Sequence, residues 1–511
     1  MKRKIFLPLG IIFCITTNQA FLFAQDNLLP IADEYYKLAE TLSQEKHPQY
    51  IDAYLGLGAI LEKNPADNEA LQYYQQTAKL TMGSYDIYRR MGHILKKQER
   101  FSDAVAQYRH ALACRPNHAV PIVELANALN IVGHYDEALE LYLKAFEINP
   151  NLYVALYNFG VTLKKFGRIH EAIAIQKRVI EQKPDYANAH FSLGLSYLTL
   201  GNFEQGWQEY EWRWAAYNEN PKKFDCPVWD GSNPAGKTIL LYAEQGFGDT
   251  LQFIRYAQLF KEKGATIILQ TQNALATLLE QCPYIDKVIK RTNQAPVADF
   301  HIPLMSLPLL YKTGLNSIPA NIPYLYASQT LVRYWREELA TDQHFKIGLC
   351  WQGNMKYPTA SLRRTVAEKS ITINHFKPLS QLPGISLYSL QKINGTDQLA
   401  TLADDFVIKT FEPNFDENNG RFMDTAAIMK NLDLIITVDT AIAHLAGGLG
   451  VPVWVLLPQP ADWRWMLEHT DSPWYPTMHL FRQKKAGGWE SLIEQVIQAL
   501  EYIIPPSTKK I

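Results

Sequence analysis

The sequence predicts an α + α/β protein: an N-terminal α-solenoid of short helical repeats, followed by a pair of Rossmann-like lobes. Three observations carry that expectation. Small, aromatic and proline residues recur at a step of 34 positions in the first half of the chain. Beyond residue 236, apolar strand-like runs alternate with helical stretches, the order that builds parallel sheets. The 511 residues give length for about three domains, and a hydrophobic content of 47% supplies their cores.

The chain opens on Lys2, Arg3 and Lys4, then an apolar run over 5–15, then small residues at Ala20 and Ala24. This is the shape of a secretory signal, but Leu22 and Phe23 are bulky at the cleavage site. Residues 1–25 therefore read as a signal peptide, an uncleaved N-terminal anchor or the product of an early start codon. Membrane association is expected through this segment alone. The run is short for a transmembrane helix, and no later segment reaches about 18 apolar residues.

Residues 26–217 read as the repeat array, with a capping helix over 26–50. Pro116, Pro150 and Pro184 keep the step of 34, as do Gly92, Ala126, Gly160 and Gly194. Ala104, Ala138 and Ala172 keep it too, with Gly206 next in the series. Phe101, Tyr135, Ile169 and Phe203 do the same, as do Tyr108, Tyr142, Gln176 and Tyr210. Small residues let two antiparallel helices approach closely, aromatic residues fill the space between stacked hairpins, and proline closes each unit. The pattern resembles the tetratricopeptide repeat. Four repeats run from 51 to about 184, and a further unit ends near Tyr210. Such an array presents a concave surface to a peptide or protein, or serves as a docking surface.

Composition removes several classes of function. Lys+Arg total 50 and Asp+Glu 51, so there is no basic footprint for nucleic acid. Wholesale disorder is excluded by the high apolar content. The five cysteines, Cys14, Cys114, Cys226, Cys282 and Cys350, form no C-x-x-C pair. They read as reduced thiols, mostly buried, with no disulfide framework and no zinc site.

A polar, turn-rich linker places the domain boundary between 217 and 236. The first lobe covers 236–330, with a strand over 238–243, a Gly246-Phe-Gly248 loop, a helix over 249–263 and a strand over 265–270. The second covers 342–511, with strands over 346–351, 385–390, 432–438 and 451–457, helices over 422–431 and 440–449, and a closing helix over 492–503. In parallel-sheet lobes, ligands sit at the carboxyl ends of strands.

Five stretches there could carry chemistry. In Glu244-Gln-Gly-Phe-Gly-Asp249, Gly248 permits close backbone approach to a ligand, and Asp249 is a helix N-cap or a functional carboxylate. In the second stretch, Asp439 and Thr440 open a helix whose free N–H groups can hold a phosphate, and His444 lies one turn further on. Trp351-Gln-Gly-Asn354 is followed by Arg363, Arg364 and Lys369, cations able to meet a pyrophosphate. For Arg363 and Arg364 a solvated loop is the better reading. Gln391 and Lys392 end another strand, suited to a base or ribose and to a phosphate. Finally, the tryptophans of 462–465 and 472–475 stack on a sugar or fill a core. No G-x-x-x-x-G-K-[ST], H-E-x-x-H or G-x-S-x-G motif is present.

As a set, the stretches 245–256, 347–354, 389–392, 433–456 and 462–465 resemble a bacterial family. In it, tetratricopeptide repeats are fused to a glycosyltransferase domain of the ADP-heptose:lipopolysaccharide heptosyltransferase type (glycosyltransferase family 9). The resemblance spans about 51 to 500, and the plan is also similar to that of the O-linked N-acetylglucosamine transferases. It implies a GT-B fold that needs no metal and no cofactor, with a nucleotide sugar as co-substrate. It further implies Asp249 as general base, Asp439, Thr440 and His444 at the donor diphosphate, and Lys369 on the donor phosphates. The first lobe takes the acceptor side and the second the donor side. One departure is Lys369-Ser-Ile371 where the family has Arg-Ser-Ile, preceded by an idiosyncratic insert over 355–368. The expected function is sugar transfer to an acceptor hydroxyl on a protein, glycan or lipid chosen by the repeats. The alternative is a repeat scaffold with inactive transferase-like lobes. Because nucleotide sugars are made in the cytosol, catalysis on the cytoplasmic side of a membrane is expected, with export the alternative from the N-terminal segment.

Overall fold

The computed structural model describes residues 67–81, 84–291, 296–357, 359–412 and 414–504. The signal or anchor segment, the capping helix expected over 26–50 and the start of the first repeat lie outside the described residues. The chain divides into two compact units, Met1–Thr162 and Leu163–Ile511.

The described part of the first unit is helical: α1 (Asp67–Thr81), α2 (Tyr85–Lys97), α3 (Phe101–Cys114), α4 (Ala119–Val132), α5 (Tyr135–Ile148) and the start of α6 (Tyr153–Lys165). The starts of α2, α4 and α6 are 34 residues apart, as are those of α3 and α5. Ala104, Ala126 and Ala138 are fully buried at the expected helix crossings, with Tyr108 and Tyr142 filling the space beside them. Tyr142 and Asn158 both donate to Asn127 Oδ1, at 2.5 and 2.9 Å, and so tie three successive helices together.

In the second unit the same step continues through α7 (Ile169–Gln182), α8 (Ala187–Thr199), α9 (Phe203–Tyr210) and the single-turn α10 (Arg213–Ala216). The turn glycines Gly133, Gly167 and Gly201 hold φ of 87°, 85° and 75°, the left-handed region that a side chain disfavours. One step earlier, Glu99 occupies that position with φ 63°. The repeat pattern ends where the sequence places its boundary, but the compact unit begins earlier. Phe203, Trp207 and Tyr210 belong to the same core as the α/β lobes, packed against Trp463, Trp474 and Phe253. Burying three aromatic side chains in a shared core fuses the last repeat to the lobes.

The first sheet has the order β3-β2-β1-β4, all parallel. Its strands are β1 (Thr238–Tyr242), β2 (Thr266–Thr271), β3 (Lys287–Lys290) and β4 (Phe300–Pro303). The helix expected over 249–263 is two helices, α11 (Phe247–Phe253) and α12 (Tyr256–Glu262). The break falls at Arg255, whose guanidinium is turned into the core. Short helices α13 (Ala276–Leu279) and α14 (Leu307–Leu310) and the longer α15 (Gln329–Leu339) complete this lobe.

The second sheet has the order β6-β5-β7-β8-β10-β9. Its strands are β5 (Phe345–Cys350), β6 (Ile385–Ser389), β7 (Leu434–Val438), β8 (Val453–Leu457), β9 (Asp471–Ser472) and β10 (Tyr475–Arg482). All pairs are parallel except β9–β10. Helices α16 (Ala360–Lys369), α17 (Lys377–Ser380), α18 (Met423–Met429), α19 (Ala441–Gly448) and α20 (Trp489–Ile503) connect and cover the strands. Arg363 and Arg364, expected in a solvated loop, lie on α16, which Thr359 caps by accepting from the Leu362 N–H. Among the described cysteines, Cys282 and Cys350 are buried and Cys114 is exposed.

Candidate functional site

Each sheet has a point where the chain reverses direction across it. In the first, β1 leads to β2 on one side and β4 returns on the other; in the second, β6 and β7 flank β5. Crevices outside the carboxyl ends of strands at such points are where ligands bind in open α/β sheets. Asp249 follows β1, Lys369 ends the helix after β5, Asp439 follows β7, and Asp462 and Arg464 follow β8.

These five side chains form one chain of ion pairs. Arg464 Nη2 bonds Asp249 Oδ1, and Arg464 Nη1 bonds Asp462 Oδ1 at 2.9 Å. Arg464 Nε donates to Gln252 Oε1 at 2.7 Å, on the helix that carries Asp249. Lys369 Nζ donates to Asp439 Oδ2 at 2.6 Å and lies 3.7 Å from Asp462 Oδ2. The ion-paired set holds three carboxylates and two cations, and the ammonium of Lys164 on α6 is a further cation whose charge is favoured by Asp462. Burial pushes the Asp462 carboxyl up, but the guanidinium of Arg464 and then the ammonium of Lys369 hold it well below the usual carboxylate range. Burial likewise works against the charged form of Lys369, and Asp439 with Asp462 hold its pKa above the usual lysine value.

The expected site residues divide into two groups. Asp249 is both a helix-start residue and part of the cluster: its Oδ2 accepts the Gly246 N–H at 2.8 Å, while its Oδ1 meets Arg464. Gly248 is the close-approach point between lobes. A Cβ there would lie 2.8 Å from His444 Cδ2. Thr440 caps α19 by accepting from the Ile442 N–H at 3.3 Å. His444 is buried, stacked on Trp465 at 5.3 Å, with its Nδ1 2.8 Å from the Tyr475 hydroxyl. Burial first, and the neighbouring Arg464 cation next, push its pKa well down, so the ring is neutral.

Gln391 and Lys392 are engaged elsewhere. The Gln391 Oε1 accepts the N–H groups of Trp351 and Gln352, both at 3.0 Å. Its Nε2 donates to the carbonyls of Gln352 and Asn394 at 2.8 and 2.7 Å. All four amide valences are therefore used in shaping the loop after β5, which leaves none for a base or ribose. Lys392 donates to the Phe415 carbonyl, lies over the Phe415 ring at 4.4 Å and reaches Glu417 at 3.2 Å.

Sequence reasoning did not single out Arg464, which makes the most connections in the cluster. It flagged the 462–465 stretch for its tryptophans, yet Trp463 and Trp465 are core residues. The usable signal was an arginine between two tryptophans: a cation that cannot leave an apolar segment needs carboxylate partners. Among the described residues, no group of three or more His, Cys, Asp or Glu could hold a metal ion. Among them, too, no helix is long and apolar enough to cross a membrane.

Comparison with known proteins bears on the repeats. Two family models described as tetratricopeptide repeat match residues 122–152 and 141–174. The chain therefore carries tetratricopeptide repeats, followed by a region of parallel sheets. Protein FlbA of Caulobacter vibrioides is 24% identical over 331 residues, which cover 59% of this chain and 53% of FlbA. The chain thus spans about half the length of the curated relative it matches. Solved structures with similarity include MamA (from residue 41 onward) of Desulfovibrio magneticus RS-1, at 18% identity and a TM-score of 0.30, covering 33% of this chain and 93% of that one. They also include YrrB, described as a tetratricopeptide protein with an unusual peptide-binding site, at 21% identity and a TM-score of 0.32, covering 37% and 95%.

Proposed function

We infer that the lobes form a metal-independent glycosyltransferase of the GT-B type, and that the repeats bind the protein, glycan or lipid acceptor. The observation that carries this reading is the cluster itself. The carboxyl edges of two parallel sheets bring Asp249, Arg464, Asp462, Lys369 and Asp439 into one connected set. A nucleotide sugar needs such a meeting of lobes, with a base on one side and cations on the other.

In the reaction, the acceptor hydroxyl oxygen forms a bond to the anomeric carbon while the bond from that carbon to the diphosphate oxygen breaks. Asp249 takes the hydroxyl proton. The departing nucleoside diphosphate carries the electron pair and is stabilised by Lys369, Arg464 and the N-terminus of α19 beside Asp439 and Thr440. As the cluster stands, Lys369 and Arg464 are each held by carboxylates and not by a diphosphate. Donor binding must draw Lys369 and Arg464 away from their carboxylates, and release of Arg464 uncovers Asp249 as a base. His444, neutral and held by Tyr475, supports the floor of the site.

A second reading keeps the repeats as a protein-binding scaffold and makes the lobes inactive. What favours it is that Asp249, Lys369, Gln391 and Lys392 all have partners within the chain. Calorimetric titration with nucleoside diphosphates separates the two. The transferase reading expects one of them to bind and Lys369→Met to weaken it at least about tenfold, the loss of one charge-assisted contact. Absence of binding by every nucleoside diphosphate favours the scaffold.

A further inference from the structure

Arg213 is buried although it carries a charge, and it lies on α10, the turn of helix that ends the repeats. It grips Glu244 with two bonds, Nε to Oε2 at 2.9 Å and Nη2 to Oε1 at 3.0 Å. Its Nη1 donates to Glu211 at 2.7 Å, and Nη2 also reaches the Ser306 hydroxyl at 2.8 Å. Ser306 in turn donates to Glu211 at 2.8 Å. Glu244 Oε1 further accepts the Met305 N–H at 3.1 Å. Arg213 thus fastens three things: the end of the repeats, the carboxyl end of β1 and the turn that follows β4.

Glu244 directly precedes the Gln245–Asp249 loop. Nearby, the last repeat also touches the other half of the cluster. The Trp207 ring packs edge-on to Trp463 at 5.4 Å, and a Cβ on Gly201 would meet Met466 at 2.7 Å. The two contacts fall on Trp463 and Met466, on either side of Arg464 and just after Asp462.

We propose that Arg213 is a positioning residue that, through Glu244, sets the Gln245–Asp249 loop, so that the last repeat and Asp249 are held as one body. The consequence for turnover rests on the transferase reading; the coupling itself does not. A bidentate guanidinium–carboxylate pair fixes orientation as well as distance, which an ammonium in the same place cannot do. Load on the last repeat is then transmitted to the candidate base with little slack.

The test compares the full chain with Arg213→Lys and with Glu244→Gln, which spare the core in different ways. Amide hydrogen exchange is read at Gly246 and Thr250, whose N–H groups bond within the loop. Amides in β2 and β7 serve as controls. The expected result is exchange about tenfold faster at Gly246 and Thr250 in both variants, as loss of one charge-assisted hydrogen bond implies, with the strand amides unchanged. Exchange that is unchanged in the loop, or that rises equally in the strands, overturns the proposal. For a nucleotide sugar that the wild type turns over, Arg213→Lys should lower kcat about tenfold and leave the donor KM within about twofold. A raised KM with kcat intact overturns the positioning role. A wild type that turns over no donor counts against the transferase reading alone, and the exchange result still decides the coupling.

Discussion

Replacing Arg464 with methionine removes the group that holds the two halves of the cluster together. The loss is calculable from its partners. Its side chain is only 10% exposed, and it serves Asp249, Asp462 and Gln252 at once. Methionine fills much of the volume but takes the bonded cation from Asp249 and Asp462, leaving Asp462 only Lys369 at 3.7 Å and the more distant charge of Lys164. Breaking a buried pair by removing one partner costs roughly 3–5 kcal/mol, and relief from desolvating the guanidinium offsets part of that, so about 3 kcal/mol is expected. The pH dependence should change as well. Asp462 has a depressed pKa in the folded chain, so it contributes stability above the ordinary aspartate pKa, and that contribution is lost as pH falls toward the folded value. In Arg464→Met the Asp462 pKa moves back up toward its unfolded value, so the share of the acid loss of stability that Asp462 contributes shrinks while its onset, set by the unfolded chain, stays in place. Urea unfolding followed by tryptophan fluorescence is the assay. All 11 tryptophans lie at Trp207 or beyond, so the signal reports the second unit alone. A loss below about 1 kcal/mol, within the range of a screened surface pair, together with an acid limb as deep as the wild type's, would refute the reasoning.

Three further outcomes follow from the packing. Arg255→Met should cost about 2–4 kcal/mol in the same urea assay, because the carbonyls of Trp474 and Pro319 lose their donor inside the core; Arg255→Lys should cost less, and equal losses would count against the argument. Gly248→Ala should cost about 1–3 kcal/mol by driving a Cβ onto the His444 ring, and a double-mutant cycle with His444→Ala should show coupling above about 1 kcal/mol. Glu99→Gly should stabilise the first unit by up to about 1 kcal/mol, since it relieves a left-handed φ at the position that three later repeats fill with glycine; circular dichroism during heating would show it, and a lowered midpoint would refute it.

The repeats were legible because a single period governs them. The helix starts at Tyr85, Ala119, Tyr153 and Ala187 follow the same step as the buried alanines. The strands ending near Ala243, Cys350 and Val438 were legible as apolar runs followed by turn residues. Other features were not. A helical pattern over 249–263 gives no sign that Arg255 points inward, because its partners are carbonyls and rings from distant segments. Strand β10 was missed because the tryptophans beside it drew the reading toward stacking. Arg213 and Arg464 escaped notice for one shared reason. Each has one carboxylate partner two residues away, but the partners that tie it across the fold, Glu244 and Asp249, lie 31 and 215 residues along the chain, where only the fold brings them together. Asp249, Lys369 and Asp439 were found because strand ends concentrate binding groups. Gln391 and Lys392 were found by the same rule, yet their bonds go to the protein itself.

The most direct test of the account is turnover by the full chain across a panel of nucleotide sugars, with Asp249→Asn alongside. Thermal shift reports binding, and release of nucleoside diphosphate reports chemistry. The account predicts that one donor raises the melting temperature of both proteins and that only the wild type releases nucleoside diphosphate. No shift with any donor from a folded sample, or release that survives Asp249→Asn undiminished, would contradict it.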